Sequence, residues 1–193
     1  MKYDRLTRLL HLLVAAGITS QAITSAIMIP PKPNVIPNEW YGIHESTGMG
    51  LLAVLVVYWA WVIVRTIAYG QAMRLFPWFS VRRLGELRED IVETVRGIAR
   101  FTLPYGDEPQ PLASAIQGLG LLLGLAMAGT GTFIALTAPG SSLWPYFFPV
   151  LETHEMLGAF VWLYLMVHPL LGILHQIAGH GSITRMFGIG KRV

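Results

Sequence analysis

The chain has 193 residues, 53% of them apolar and only 13% charged, with 20 glycines and no cysteine. That composition departs from soluble usage toward the membrane class, and the lack of cysteine excludes disulfides, thiolate-held metals, iron–sulfur clusters and thioether-attached cofactors. The net charge of +3 is not a nucleic-acid signature, because the basic residues are distributed by membrane side and no soluble binding domain carries them.

Four stretches, 9–31, 46–64, 109–151 and 156–184, carry no Asp, Glu, Lys or Arg, and each can supply the ~20 apolar residues of a bilayer span. The third is too long for one span. Thr137-Ala-Pro-Gly-Ser-Ser and Pro145 break it, leaving Trp144, Tyr146, Phe147 and Phe148 as an aromatic cluster expected at the interface. The reading is an all-α integral membrane four-helix bundle in which the whole chain, 1–193, is one domain with spans at 8–29, 43–67, 112–137 and 151–178. The first span is expected to be retained, its apolar core being longer than that of a signal peptide. Between the second and third spans, Ser80 can N-cap a surface helix over 80–101, where Val81, Leu84, Leu87, Ile91, Val95, Ile98 and Phe101 recur at helical spacing. Arg and Glu occupy its other face, so it is expected to lie on the cytoplasmic surface against lipid. Pro169 should kink the fourth span.

Lys2, Arg5 and Arg8 precede the first span; Arg65, Arg74, Arg82, Arg83, Arg88, Arg96 and Arg100 lie between the second and third; Arg185, Lys191 and Arg192 follow the fourth. Of the basic residues only Lys32 falls on the other side, which puts both termini of a multi-pass membrane protein in the cytoplasm.

Four histidines in these spans are each followed four residues later by a small side chain: His11 by Ala15, His44 by Gly48, His154 by Gly158 and His168 by Gly172. Residues four apart share a helix face, so the small residue clears space beside the imidazole for a flat macrocycle such as haem. Depth decides which histidines can meet. At ~1.5 Å per residue, His11 and His168 lie roughly 27 and 26 Å below the periplasmic surface, His44 and His154 close to it, and His175 roughly 36 Å down. His44 therefore matches His154, and His11 matches His168, with His175 the weaker partner. The 14 residues from His154 to His168 turn about 1400°, roughly 40° short of four turns, so one helix can serve two stacked sites about 20 Å apart. Any one of these histidines alone could be a packed side chain bonded to a carbonyl; four that pair by depth point to function.

His44-Glu-Ser-Thr-Gly48 and His154-Glu-Met-Leu-Gly158 share His-Glu-x-x-Gly, which lacks the second histidine of a zinc-protease motif. Glu45 and Glu155 are expected to meet the positive ends of their helix starts. The histidine pattern, the opening Tyr3-Asp4-Arg5-Leu6-Thr7-Arg8-Leu9-Leu10-His11 and the amphipathic connection resemble the bacterial cytochrome b561 and nickel-hydrogenase b-type cytochrome superfamily over nearly the whole chain. Leu12 departs from the aromatic that often follows the first histidine there. The resemblance implies two b haems, each held by two histidines, passing electrons between the quinone pool and a redox partner such as a periplasmic c-type cytochrome, a hydrogenase or another dehydrogenase. Arg5, Arg8 and Lys2 are placed to meet the propionates of the inner haem. Two other functions stay open: a free-standing superoxide:ubiquinone oxidoreductase, poorly served by a single outer lysine, and a proton-coupled transporter with histidine relays. Whether the chain works as an enzyme in its own right or as an electron-transfer component, and whether it forms a homodimer, is not legible.

Overall fold

The computed structural model describes residues 4–32, 35–69, 76–100, 102, 110–137 and 139–187. Tyr3, Lys2, Arg74, Phe101, Lys191 and Arg192 lie outside them. The regular elements are helical: α1 Arg5–Ile27, α2 Glu39–Tyr69, a 3-10 turn Pro77–Phe79, α3 Val81–Ala99, α4 Pro111–Leu136, a second 3-10 turn Trp144–Tyr146, α5 Phe147–Ile177 and a short α6 Ser182–Phe187. α1, most of α2, α4 and all of α5 are long and apolar enough to cross a membrane, so the protein is an all-α membrane protein.

These helices begin a little before the boundaries expected from the apolar runs, because polar residues can open a helix. Asp4 caps α1: its carboxylate accepts the Thr7 N–H at 2.8 Å and the Thr7 hydroxyl at 2.6 Å. α2 starts at Glu39, whose charge suits the first turn. Asn38 closes the preceding loop, accepting the Ile29 N–H at 3.0 Å and donating to the Ile27 carbonyl at 3.1 Å. α5 continues out of the 3-10 turn and runs through Pro169 to Ile177.

The chain forms two compact units, each drawing on all four long helices. The first comprises Leu9–Trp59 and Leu122–Leu165. Here α1 and α2 approach closely at Gly17, where an added Cβ would lie 2.7 Å from Leu51 Cδ1. Leu55 is buried and meets Gly124 of α4. Ile134, Phe147 and Leu151 form a buried cluster with Trp144, Phe148 and Val150 around it, and Trp144 stacks on Phe147 at 4.8 Å. The aromatics expected at the interface are therefore mostly core, and of the four only Tyr146 is largely exposed. The other three pack against the C-terminal turn of α4 at Ile134.

The second unit comprises Met1–Arg8, Ala60–Leu121 and Met166–Val193. Thr7, 5% exposed, is its hub: the hydroxyl that donates to Asp4 accepts from Trp61 Nε1 and Arg65 Nη1, each at 2.9 Å, while Arg65 pairs with Asp4 at 3.2 Å. α3 has three sides. Asp90, Thr94 and Gly97 are buried; Val81, Leu84, Ile91, Val95 and Ile98 are exposed apolar residues; and Arg82, Glu86, Glu89, Glu93 and Arg96 are exposed charges. Leu87, expected on the apolar face, is half-buried on the inward side. Asp90 Oδ2 accepts the Leu112 N–H at 2.8 Å, satisfying one of the orphan donors of the first turn of α4. Ser80 occupies the N-cap position in an extended conformation, but its hydroxyl makes no capping bond, so the expected cap is positional only.

Candidate functional site

The first unit brings His44 and His154 together. Both face inward on their helices and are half-buried; their ring centres are 6.4 Å apart with perpendicular planes. Each ring is held from behind by a threonine. Thr24 Oγ1 of α1 lies 2.9 Å from His44 Nδ1, and Thr130 Oγ1 of α4 lies 2.7 Å from His154 Nδ1.

These two contacts bear on the tautomer. A threonine hydroxyl has one hydrogen. In Thr24 it is directed to the helix carbonyls of Ser20 at 2.9 Å and Gln21 at 3.1 Å, and in Thr130 to those of Ala126 at 2.8 Å and Met127 at 3.1 Å. With that hydrogen on the backbone the oxygen accepts, an arrangement that fits histidines with the proton on Nδ1 and a lone pair on Nε2. That is the form in which an imidazole binds a metal through Nε2 while its other N–H is held by a fixed acceptor.

The donor set fits a metal between two imidazoles. With a metal–nitrogen bond of about 2 Å on each side, as zinc shows, and roughly another ångström from nitrogen to ring centre, two collinear imidazoles stand about 6 Å apart, close to the observed separation. Half-buried Gly158 meets nothing within 4 Å of an added Cβ, which leaves room beside His154 for a planar ligand. Gly131 of α4 is placed differently: its Cβ would come 3.2 Å from His154 Cε1, so a glycine there lets the ring sit against the helix.

Gln21 completes the surroundings, donating to the His44 carbonyl at 3.0 Å and to Thr47 Oγ1 at 2.6 Å. Gly48 packs on it, with an added Cβ 3.2 Å from Gln21 Oε1. The space expected one turn after His44 is thus bounded by a polar side chain. Gln21, Thr24, Thr130 and Gly131 were not legible as site residues. Gln21 carried the one usable signal, an amide inside a span where a polar group must find a partner.

Glu45 and Glu155 do not serve the helix starts, since α2 begins at Glu39 and α5 at Phe147. Glu155 instead pairs with Lys32 at 3.4 Å. His11 and Ala15 lie half-buried on α1 in the first unit, His168 and Gly172 half-buried on α5 in the second. His175 contacts His180, Nδ1 to Nδ1, at 2.9 Å.

A family model described as prokaryotic cytochrome b561 matches residues 2–188. No curated protein and no solved structure matches the chain. The match spans both units and every residue of the histidine pattern, and the chain belongs to the prokaryotic cytochrome b561 family, membrane b-type cytochromes of electron transfer.

Proposed function

We propose that the chain is a di-haem electron-transfer subunit carrying electrons between the quinone pool and a periplasmic redox partner, working as one domain with both termini in the cytoplasm of a bacterial inner membrane. The observation that carries this reading is the outer pair, His44 and His154, held at metal-bridging separation with both Nδ1 atoms held by threonines. The inner pair is His11 with His168, matched by depth. When bound, haem supplies a one-electron couple tuned by ligation, hydrogen bonding and burial.

The chain's own residues do the rest. Two histidines would hold each haem iron and leave it no position for a substrate. Ala15, Gly48, Gly158 and Gly172 keep the neighbouring turn small. Arg8 is the best supported of the propionate partners, because its Nε is buried and has no hydrogen-bond acceptor among the described residues; Arg5 is exposed. The pairing of Lys32 with Glu155 leaves the outer loops without an uncompensated cation to draw an anion, which weighs against superoxide as substrate.

Haem content by pyridine haemochrome tests the ligand sets. His44→Ala and His154→Ala should each remove one and the same haem, and His11→Ala and His168→Ala the other. Loss of both haems in every variant, or of neither, would refute the assignment.

A further inference from the structure

The end of α5 holds a second histidine cluster that the proposed ligand set does not use. We propose that His175 and His180 form a proton-binding site that takes up a proton from the cytoplasmic side when an electron arrives at the haem that His168 would hold. The proposal rests on His168 being an axial ligand.

The two Nδ1 atoms are 2.9 Å apart, with ring centres at 5.1 Å. Such a contact needs a hydrogen on one nitrogen and a lone pair on the other. The contact has room for one extra proton but not for two, because two imidazolium charges at this distance repel. The turn that creates the contact is built for it. Gly179 and Gly181 take φ of 85° and 61°, a left-handed backbone that folds the chain back. The His180 N–H bonds the His175 carbonyl at 2.9 Å, Arg185 donates to the His180 carbonyl, and Gln176 Oε1 accepts the N–H groups of Ile183 and Thr184 at 3.0 and 3.2 Å.

Among the described residues, the charged groups acting on His175 are Asp90 from α3 and Arg185 from α6, with His180 itself. Asp90 is 8% exposed and acts on His175 with a sign opposite to that of Arg185. His175 follows His168 by seven residues, about 700° and roughly 10.5 Å along one face of the helix. At that distance in a protein interior a new unit of negative charge is felt. One electron, supplied by the redox partner, is balanced by one proton drawn from water.

Potentiometric titration of the purified holoprotein between about pH 5.5 and 8.5, where histidines titrate, reads the coupling. The midpoint potential of the haem that His168→Ala removes should fall with rising pH along part of this range, approaching the limit of about 59 mV per tenfold change in proton concentration for one electron. His175→Gln and His180→Gln should both flatten that slope while leaving haem content and the slope of the other haem unchanged. A flat wild-type slope, or a slope that survives both variants, overturns the proposal with the haem reading intact. Loss of a haem in His175→Gln makes His175 a ligand and overturns the proposal together with the inner assignment. A purified protein without haem overturns the proposed function itself.

Discussion

Replacing Thr130 by valine removes one oxygen and keeps the shape of the side chain. The Nδ1–H of His154 then loses its acceptor at 2.7 Å, and an unpaired, partly buried donor costs about 1–3 kcal/mol. Loss of such an outer partner typically weakens metal binding about 10- to 100-fold, which at about 1.36 kcal/mol per decade is roughly 1.4–2.7 kcal/mol. The two routes agree, so Thr130→Val should raise the haem dissociation constant of the outer site by one to two orders of magnitude. Thr130→Ser should restore it, since the serine hydroxyl can make both the backbone bond and the ring contact. The assay is the rate and extent of haem transfer from purified protein to an excess of a haem-free acceptor protein, with the two haems followed by their spectra. Thr24→Val should repeat the effect from the His44 side. If Thr130→Val retains its outer haem as firmly as wild type, the threonine does not hold the imidazole, and the tautomer argument fails.

Gly158→Leu should leave the helices folded, because nothing lies within 4 Å of its Cβ, yet remove the outer haem; a normal spectrum would mean the glycine serves only helix packing. Gly131→Val should reduce outer haem occupancy by pressing on His154 Cε1, whereas Gly48→Leu meets Gln21 first and should disturb the His44 carbonyl contact as well, both read by haem-to-protein ratio. Asp4 supplies a pH test. Burial pushes its carboxyl up, but the Thr7 hydroxyl and amide and the Arg65 guanidinium outweigh that and hold it below its ordinary 3.8; the stability it contributes is present above that value and is lost as pH falls through the lower folded value. Thermal unfolding in detergent between about pH 5 and 2.5 should therefore lose a modest increment that Asp4→Ala lacks, and an identical decline in both would remove Asp4 from the account. In sealed vesicles of known orientation, an impermeant oxidant outside should drain both haems with the outer oxidised first, and His11→Ala should block exchange with a reductant confined to the cytoplasmic side; transfer at the wild-type rate would take the inner site off the path.

The spans were legible because a bilayer demands long apolar helices, and charge-free runs of that length have few other uses. Their starts were less so, since Asp4 and Glu39 open helices with polar side chains that a search for apolar runs passes over. The meeting of His44 with His154 followed from counting residues down two helices of opposite direction. The threonines did not. Thr24 is 20 residues from His44 in sequence and Thr130 is 24 from His154, and a threonine that bonds its own helix carbonyl looks like any other in a span. Nothing in the third span carries a histidine, so its contribution through Thr130 and Gly131 appears only once the helices are packed. The packing of the aromatic turn was not legible either: Trp144, Phe147 and Phe148 close on Ile134 and Leu151, a contact with the end of α4 that composition does not show.

The surface helix α3 has one more consequence. Its buried Asp90 is tied to the first turn of α4, while its exposed apolar side is available to lipid and its charged side to water. A helix moored this way cannot roll to bury its apolar side or sink to hide its charges. On the proposed topology it would act as a float, setting the waterline of the protein independently of the lengths of the spans. A change in bilayer thickness would then be absorbed by tilt or stretch elsewhere, and the end of α5 that carries His175, which shares its unit with α3, would keep a constant distance from the cytoplasm.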